Sequence, residues 1–176
     1  MGSPLRQGHW HRRWVALRFA RRGVVALEFA LVAPVLLTLM LLILQVGLIL
    51  FGQAALDAAT ADASRLIRTG QVQLATNGKQ MFTDRLCADL SSIASCANVQ
   101  FNVQSGASFG ALTTAITVNS SGIIANATFS PGNPNQFVIV QAGYQPDTAL
   151  PFVGPMLRNV FGALLVSTDA FQNEPY

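Results

Sequence analysis

The sequence predicts an α+β protein: a long N-terminal helix that crosses a membrane and runs on into a small domain holding a second helix and an antiparallel sheet of about three to four strands. Three observations carry this. From Phe29 to Gly52 there are 24 consecutive residues without a charge, more than the ~20 needed to cross a bilayer and too long for the ~7 to 15 apolar residues of a secretory signal. The stretch that follows keeps a helical period in water. After residue 98 the period of the apolar residues changes from about four to two.

The 176 residues are 51% hydrophobic and 11% charged, far below the usual quarter for soluble proteins. The net charge of +3 conceals an asymmetry: residues 1–23 carry six arginines and no acid, and the remainder carries five bases against eight acids. Arg18, Arg21 and Arg22 directly precede the apolar run. A basic flank of this kind stays on the cytoplasmic side, which predicts the N-terminus inside and everything beyond about residue 53 outside. The same arrangement argues against nucleic acid as a partner, because the arginines abut the span and the rest of the chain has no basic patch.

Four segments follow: a basic leader over 1–23, a membrane half of the helix over 24–52, its extracytoplasmic continuation over 53–70, and an α+β head over 71–176. The helix is expected from Val24 to about Thr69, roughly 70 Å at ~1.5 Å per residue, with Leu56, Ala59, Ala63 and Leu66 on one stripe. Pro34 interrupts its membrane half and is expected to kink it or free a carbonyl. Gly70 stands where a helix-ending glycine belongs, with Arg65 and Arg68 at the negative end of the dipole. "QVQLATNGK" reads as a loop and "QMFTDRLCADLSSIAS" as the second helix, with Phe82, Leu86 and Leu90 four apart. "NVQFNVQS" alternates Val99, Phe101 and Val103 with polar residues, a strand with one buried face. "LTTAITVNS" and "GIIANATF" offer a further strand or hairpin, "FVIVQAGYQ" a stronger strand, "LPFVGPMLRNVFG" a short helix or hairpin excursion, and "ALLVSTDAFQNEPY" a closing strand. Phe101, Val103, Val138 and Val140 are expected in the sheet core.

The only histidines, His9 and His11, lie in the leader. The outer domain therefore lacks the Ser-His and Cys-His pairs and the histidine ligands of common hydrolases and zinc sites. Asp84 and Asp89 are five apart and do not stack on a helix. "SGASFG" lacks the lysine of a phosphate loop. The expectation is a protein that is not an enzyme, with no cofactor and no metal. Cys87 and Cys96 fall on the oxidising side of this topology. On one continuous helix they would stand ~13.5 Å apart, beyond the ~7 Å limit for a bridge, so a disulfide requires a helix break at Ser91 or Ser92.

The apolar run is preceded by one acid, Glu28, with Phe29 after it. A carboxylate at that depth can snorkel to the headgroups, stay protonated or find a cation. The pattern "RRGVVALEF" resembles the class III signal of type IV pilins and pseudopilins, in which a membrane peptidase cuts after the glycine on the cytoplasmic face. That resemblance implies a cut between Gly23 and Val24, with Glu28 fifth in the mature chain and meeting the freed α-amine of a neighbouring subunit, so that Glu28 and Phe29 set assembly and register. More narrowly, "GVVALEFALVAPVLL" is similar to the TadE family of tight-adherence (Flp) pilus assembly proteins, and "YQPDTALPFVG" and "STDAFQNEPY" resemble that family's far end. Phe29 stands where many pilin signals carry tyrosine. The likeness implies a type IV pilin-like fold and a minor pseudopilin of the bacterial inner membrane, single-pass, its head periplasmic. Its implied partners are membrane lipid, a prepilin peptidase, other pilins or pseudopilins and the pilus assembly platform. The alternative is an unprocessed bitopic anchor carrying a periplasmic binding module. A third class, a secreted domain cut near the Ala59-x-Ala61 spacing, predicts an N-terminus beyond residue 60.

Overall fold

The computed structural model describes residues 21–91, 95–112, 115–119, 122–125, 127–145 and 164–176. The chain is α+β, with helices preceding an antiparallel sheet. It forms two compact units, Met1–Gln45 and Val46–Tyr176. One helix, α1 (Arg21–Arg68), is 48 residues long and has a mean hydropathy of 2.6 over its most apolar window, long and apolar enough to cross a membrane. It is continuous through Pro34, whose missing N–H deprives the Ala30 carbonyl of its usual donor. The Thr38 hydroxyl donates to the Pro34 carbonyl at 2.7 Å, so the polar group of Thr38 is satisfied within its own helix.

Helix α1 ends where the sequence places its stop. Gly70 has φ +78°, the left-handed conformation that glycine adopts without steric cost, and its N–H donates to the Ile67 carbonyl. Residues 71–79 depart from the expected loop. They hold a short helix, α2 (Gln71–Leu74), and the first residues of α3 (Gly78–Leu90). Val72 is 3% exposed, and the turn of helix that carries it puts it in the core, with the Gln73 amide donating to the Ile67 and Pro131 carbonyls. Helix α3 stops at Leu90, short of the expected end, and Ser91 follows as its cap.

The sheet is three antiparallel strands in the order β1 (Val99–Gly106), β2 (Phe137–Tyr144), β3 (Leu165–Gln172). Val99 pairs with Tyr144 at one end and Gly106 with Phe137 at the other; Tyr144 pairs with Leu165. One face packs on α1 and α3. Its core joins Leu56, Ala59, Ala63 and Ile67 to Phe82, Leu86, Leu90, Val103, Val138 and Val140. Ile67 takes the fourth position of the expected helix stripe, and Leu66 flanks it partly buried. Each large side chain fully buried there contributes about 1.5–3 kcal/mol relative to exposure. Phe82 meets Phe101 and Phe129 at centroid distances of 5.2 and 5.7 Å, which places Phe101 at the border of the core.

The other face is not left to solvent, contrary to the expected strand with polar residues outward. Asn102 and Gln141 are 5% and 1% exposed. The Asn102 amide donates to Gln141 Oε1 at 3.1 Å, and its oxygen accepts from the Thr128 N–H and hydroxyl. These bonds hold the segment before β2 against the sheet. That segment forms no further strand among the described residues: it touches β1 by a single parallel bridge at Phe129 and folds on itself by a single bridge between Val118 and Ile124. A few backbone bonds, such as those exchanged by Val103 with Thr128 and Ser130, combine with the Asn102 amide contacts to hold it in place without a continuous ladder. The expected excursion in "LPFVGPMLRNVFG" lies outside the described residues.

Strand β3 runs alongside α1. Gln53 Nε2 donates to the Val166 carbonyl at 3.0 Å, and the Glu174 N–H donates to the Arg68 carbonyl at 2.9 Å. The Val99–Tyr144–Leu165 end of the sheet is therefore level with Gln53, and the opposite end is level with Arg68. Asn173 closes that far end, its amide donating to the Pro131 and Asn133 carbonyls.

Candidate assembly helix

The candidate residues fall on the first turns of α1. Gly23 lies in the helix, and so do Arg21 and Arg22; their backbone is helical. Arg18 lies outside the described residues. Val24, the residue that would follow the cut, is exposed. Glu28 is exposed as well, and its neighbours one turn away, Val24, Val25, Leu31 and Val32, are all apolar and exposed. Among the described residues it makes no ion pair. The helix surface around the carboxylate is apolar among the described residues.

That surface has a pattern. Val24, Glu28, Leu31, Val35, Thr38 and Leu42 recur at alternating intervals of four and three, which places them on one face of a helix. Pro34, Val35, Thr38, Leu39 and Leu42 line a shallow apolar groove on this face. Phe29 is the most exposed large apolar residue of the helix, at 72%, and it points a quarter turn away from Glu28 by the ~100° step between successive residues. A helix with apolar residues on every side and one acid near its start suits a setting of lipid or of other helices. The acid can select a cation presented by a neighbour, and the groove can accept a side chain.

Outside the helix, Cys87 and Cys96 are joined in a disulfide with their Cα atoms 5.3 Å apart. The end of α3 at Leu90 lets the chain turn back, and a single 3-10 turn (Cys96–Asn98) carries the second cysteine to the start of β1. The bridge ties the last turns of α3 to the 3-10 turn that leads into the sheet. Asp62 and Asp89 flank Arg85 at 3.0 and 3.2 Å; the first contact joins α1 to α3, and the second lies within α3.

Two groups of polar residues escaped the sequence reading. The node of Asn102, Gln141 and Thr128 is built from residues that look like the solvent-facing half of an alternating strand, and no local signal distinguishes them. The C-terminal tail left a fainter trace, since "NEPY" follows directly on a strand. In the structure Asn173, Glu174 and Tyr176 close over the end of α1, with the Tyr176 ring seated against Gly70 and its hydroxyl near the Gly132 carbonyl at 3.4 Å.

Ala59 of the Ala-x-Ala spacing is 1% exposed and belongs to the core. A cut there would separate the head from Leu56 and Ala59, which pack in its core.

No curated protein and no solved structure matches the chain. A family model does: residues 23–65 match that of the TadE-like proteins. The match opens on Gly23, takes in Glu28, Phe29 and Pro34, and continues into the buried stripe of Leu56, Ala59 and Ala63. The segment that bears the candidate residues is TadE-like, as its sequence resemblance implied.

Proposed function

We propose that this protein is a minor pseudopilin, a TadE-like subunit in the biogenesis of an adhesive Flp-type pilus, and that it acts by packing rather than by catalysis. A prepilin peptidase on the cytoplasmic face removes residues 1–23 and frees the Val24 amine. The helix then remains in the inner membrane as a single span, with the head in the periplasm. The observation that carries this reading is the position of Glu28: a carboxylate five residues past Gly23, exposed on an apolar face of a TadE-like helix.

Its role follows from electrostatics. A neighbouring subunit's Val24 ammonium placed ~4 Å from the Glu28 carboxylate gains about 4 kcal/mol at an effective dielectric of ~20, before desolvation is subtracted. A subunit out of step leaves both charges unpaired in an apolar setting, which costs more than the pair gains. The pair therefore acts as a register device, and Phe29 and the groove at Pro34 add shape to it. The association partners are other pilus components.

Mass spectrometry of the protein from bacterial membranes tests the first step. A mature N-terminus at Val24 that depends on the peptidase supports the proposal. An intact leader in the presence of active peptidase overturns it and favours the unprocessed anchor with a periplasmic binding module.

A further inference from the structure

We infer that Cys96 is the sulfur through which the Cys87–Cys96 bridge is made and opened, by exchange with the paired cysteines of a protein thiol oxidoreductase. The inference stands apart from the pilus reading, because it rests on the surroundings of the bridge alone.

The two bonded cysteines lie in different settings. Cys87 belongs to the last turns of α3 and is half-buried. Leu86 and Leu90 beside it are 0% and 2% exposed, so the backbone that carries Cys87 is fixed against the core. A helical side chain leans toward the preceding turn, which for Cys87 is the turn of Thr83 and Asp84. Both of those are held: the Thr83 hydroxyl donates to the Lys79 carbonyl at 2.8 Å, and the Gln80 amide donates to Asp84 Oδ1 at 2.7 Å. Cys96, by contrast, is exposed, and so are Ser95 before it and Ala97 after it. It opens a short 3-10 turn, which the Asn98 N–H closes on the Ser95 carbonyl at 3.0 Å. Its sequence neighbours carry only a hydroxymethyl and a methyl group, which hinder an approach very little.

Access decides which sulfur reacts. A thiolate attacks one sulfur of a disulfide from the side opposite the other sulfur, which leaves. Attack on Cys96 therefore comes from the side away from Cys87 and from α3. Attack on Cys87 has to come across the helix, over Thr83 and the Asp84 carboxylate, whose charge repels an incoming thiolate. Closing the bridge passes through the same mixed disulfide as opening it. In closing, the Cys96 thiolate attacks one sulfur of the oxidoreductase disulfide and the second sulfur of that enzyme leaves as a thiolate. The Cys87 thiolate then displaces the enzyme from the Cys96 sulfur. The bridge forms, the two electrons pass to the enzyme, and its two sulfurs take up the two protons that the cysteines of this chain gave up. Opening is the reverse, with the enzyme entering as a dithiol.

The test uses the full chain, bridged, in detergent. Reduced glutathione is added briefly, acid stops the reaction, and N-ethylmaleimide caps the free thiols. Cleavage before Asp89 separates Cys87 from Cys96, and mass spectrometry reads which of them carries glutathione. At least fivefold more on Cys96 is expected in the folded chain, falling below fivefold in concentrated urea. A preference below fivefold in the folded chain overturns the inference. A preference of fivefold or more that persists in urea also overturns it, because the local sequence and not the fold then sets the choice. A thioredoxin lacking its resolving cysteine tests the partner: it is expected to be trapped on Cys96, and absence of that adduct where glutathione reacts overturns the oxidoreductase as partner.

Discussion

Replacing Gly70 by alanine tests how the end of α1 is held. Two penalties are expected. Gly70 has φ +78°, and an L-residue in the left-handed region costs about 1–2 kcal/mol. The new methyl group would also occupy the space of the Tyr176 ring, which has to swing out. Tyr176 is 41% exposed, so it has only part of an aromatic side chain's burial to lose, about 1 kcal/mol. The sum is about 2–3 kcal/mol, which for a domain of this size lowers Tm by roughly 6–12 °C. Thermal unfolding of the full chain in detergent, followed by circular dichroism, measures it. The Tyr176→Ala variant separates the two penalties: in that background there is no ring to displace, so the double variant falls short of additivity by about 1 kcal/mol. Strict additivity refutes the ring contact, and an unchanged Tm for Gly70→Ala refutes the left-handed helix stop as well.

Asn102→Ala withdraws both the acceptor for the Thr128 N–H and the donor to Gln141, and an orphaned buried group costs about 1–3 kcal/mol; a measured loss below 0.5 kcal/mol in urea unfolding would contradict the buried node. Reducing the Cys87–Cys96 bridge opens a short loop of nine residues' separation and is expected to lower stability by up to about 3 kcal/mol on the chain-entropy estimate, read as a lower Tm in dithiothreitol. The Arg68–Glu174 ion pair is exposed on both sides, so swapping the Glu174 carboxylate for Gln should change stability by no more than about 0.5 kcal/mol; a larger effect would mean the side chain does more than its backbone N–H. Glu28→Gln and Glu28→Ala are expected to leave the head's Tm unchanged while reducing co-purification of the protein with other pilus components from membranes at least tenfold, and equal co-purification would remove the register role.

The parts of the fold that were legible in the sequence are those set by near neighbours. The apolar run, the stripe of Leu56, Ala59 and Ala63, the stop at Gly70 and the alternation around Val103 and Val140 each depend on residues within a turn or a strand of one another, and they form the elements expected. What was not legible depends on contacts distant in sequence. Asn102 looks exposed by alternation, yet Thr128 and Gln141 bury it from 26 and 39 residues away. Val72 looks like part of a loop, and only the core beneath it explains its helical turn. At the candidate site, the spacing of Gly23 and Glu28 can be read directly; Pro34 is legible as an interruption of the helix, and the groove it lines is not. That Val24, Val25, Leu31 and Val32 stand exposed around Glu28 depends on what the rest of the chain leaves uncovered, which no local pattern encodes.

The bonds from Gln53 to Val166 and from Arg68 to Glu174 attach one strand to one helix at two places about 22 Å apart along the helix axis. A single tether would let the two pivot; two resist twisting, much as a pair of hinges keeps a door square. A force applied along the helix axis would therefore enter the sheet lengthwise and be shared among the rungs of the neighbouring ladder, instead of peeling them apart one after another.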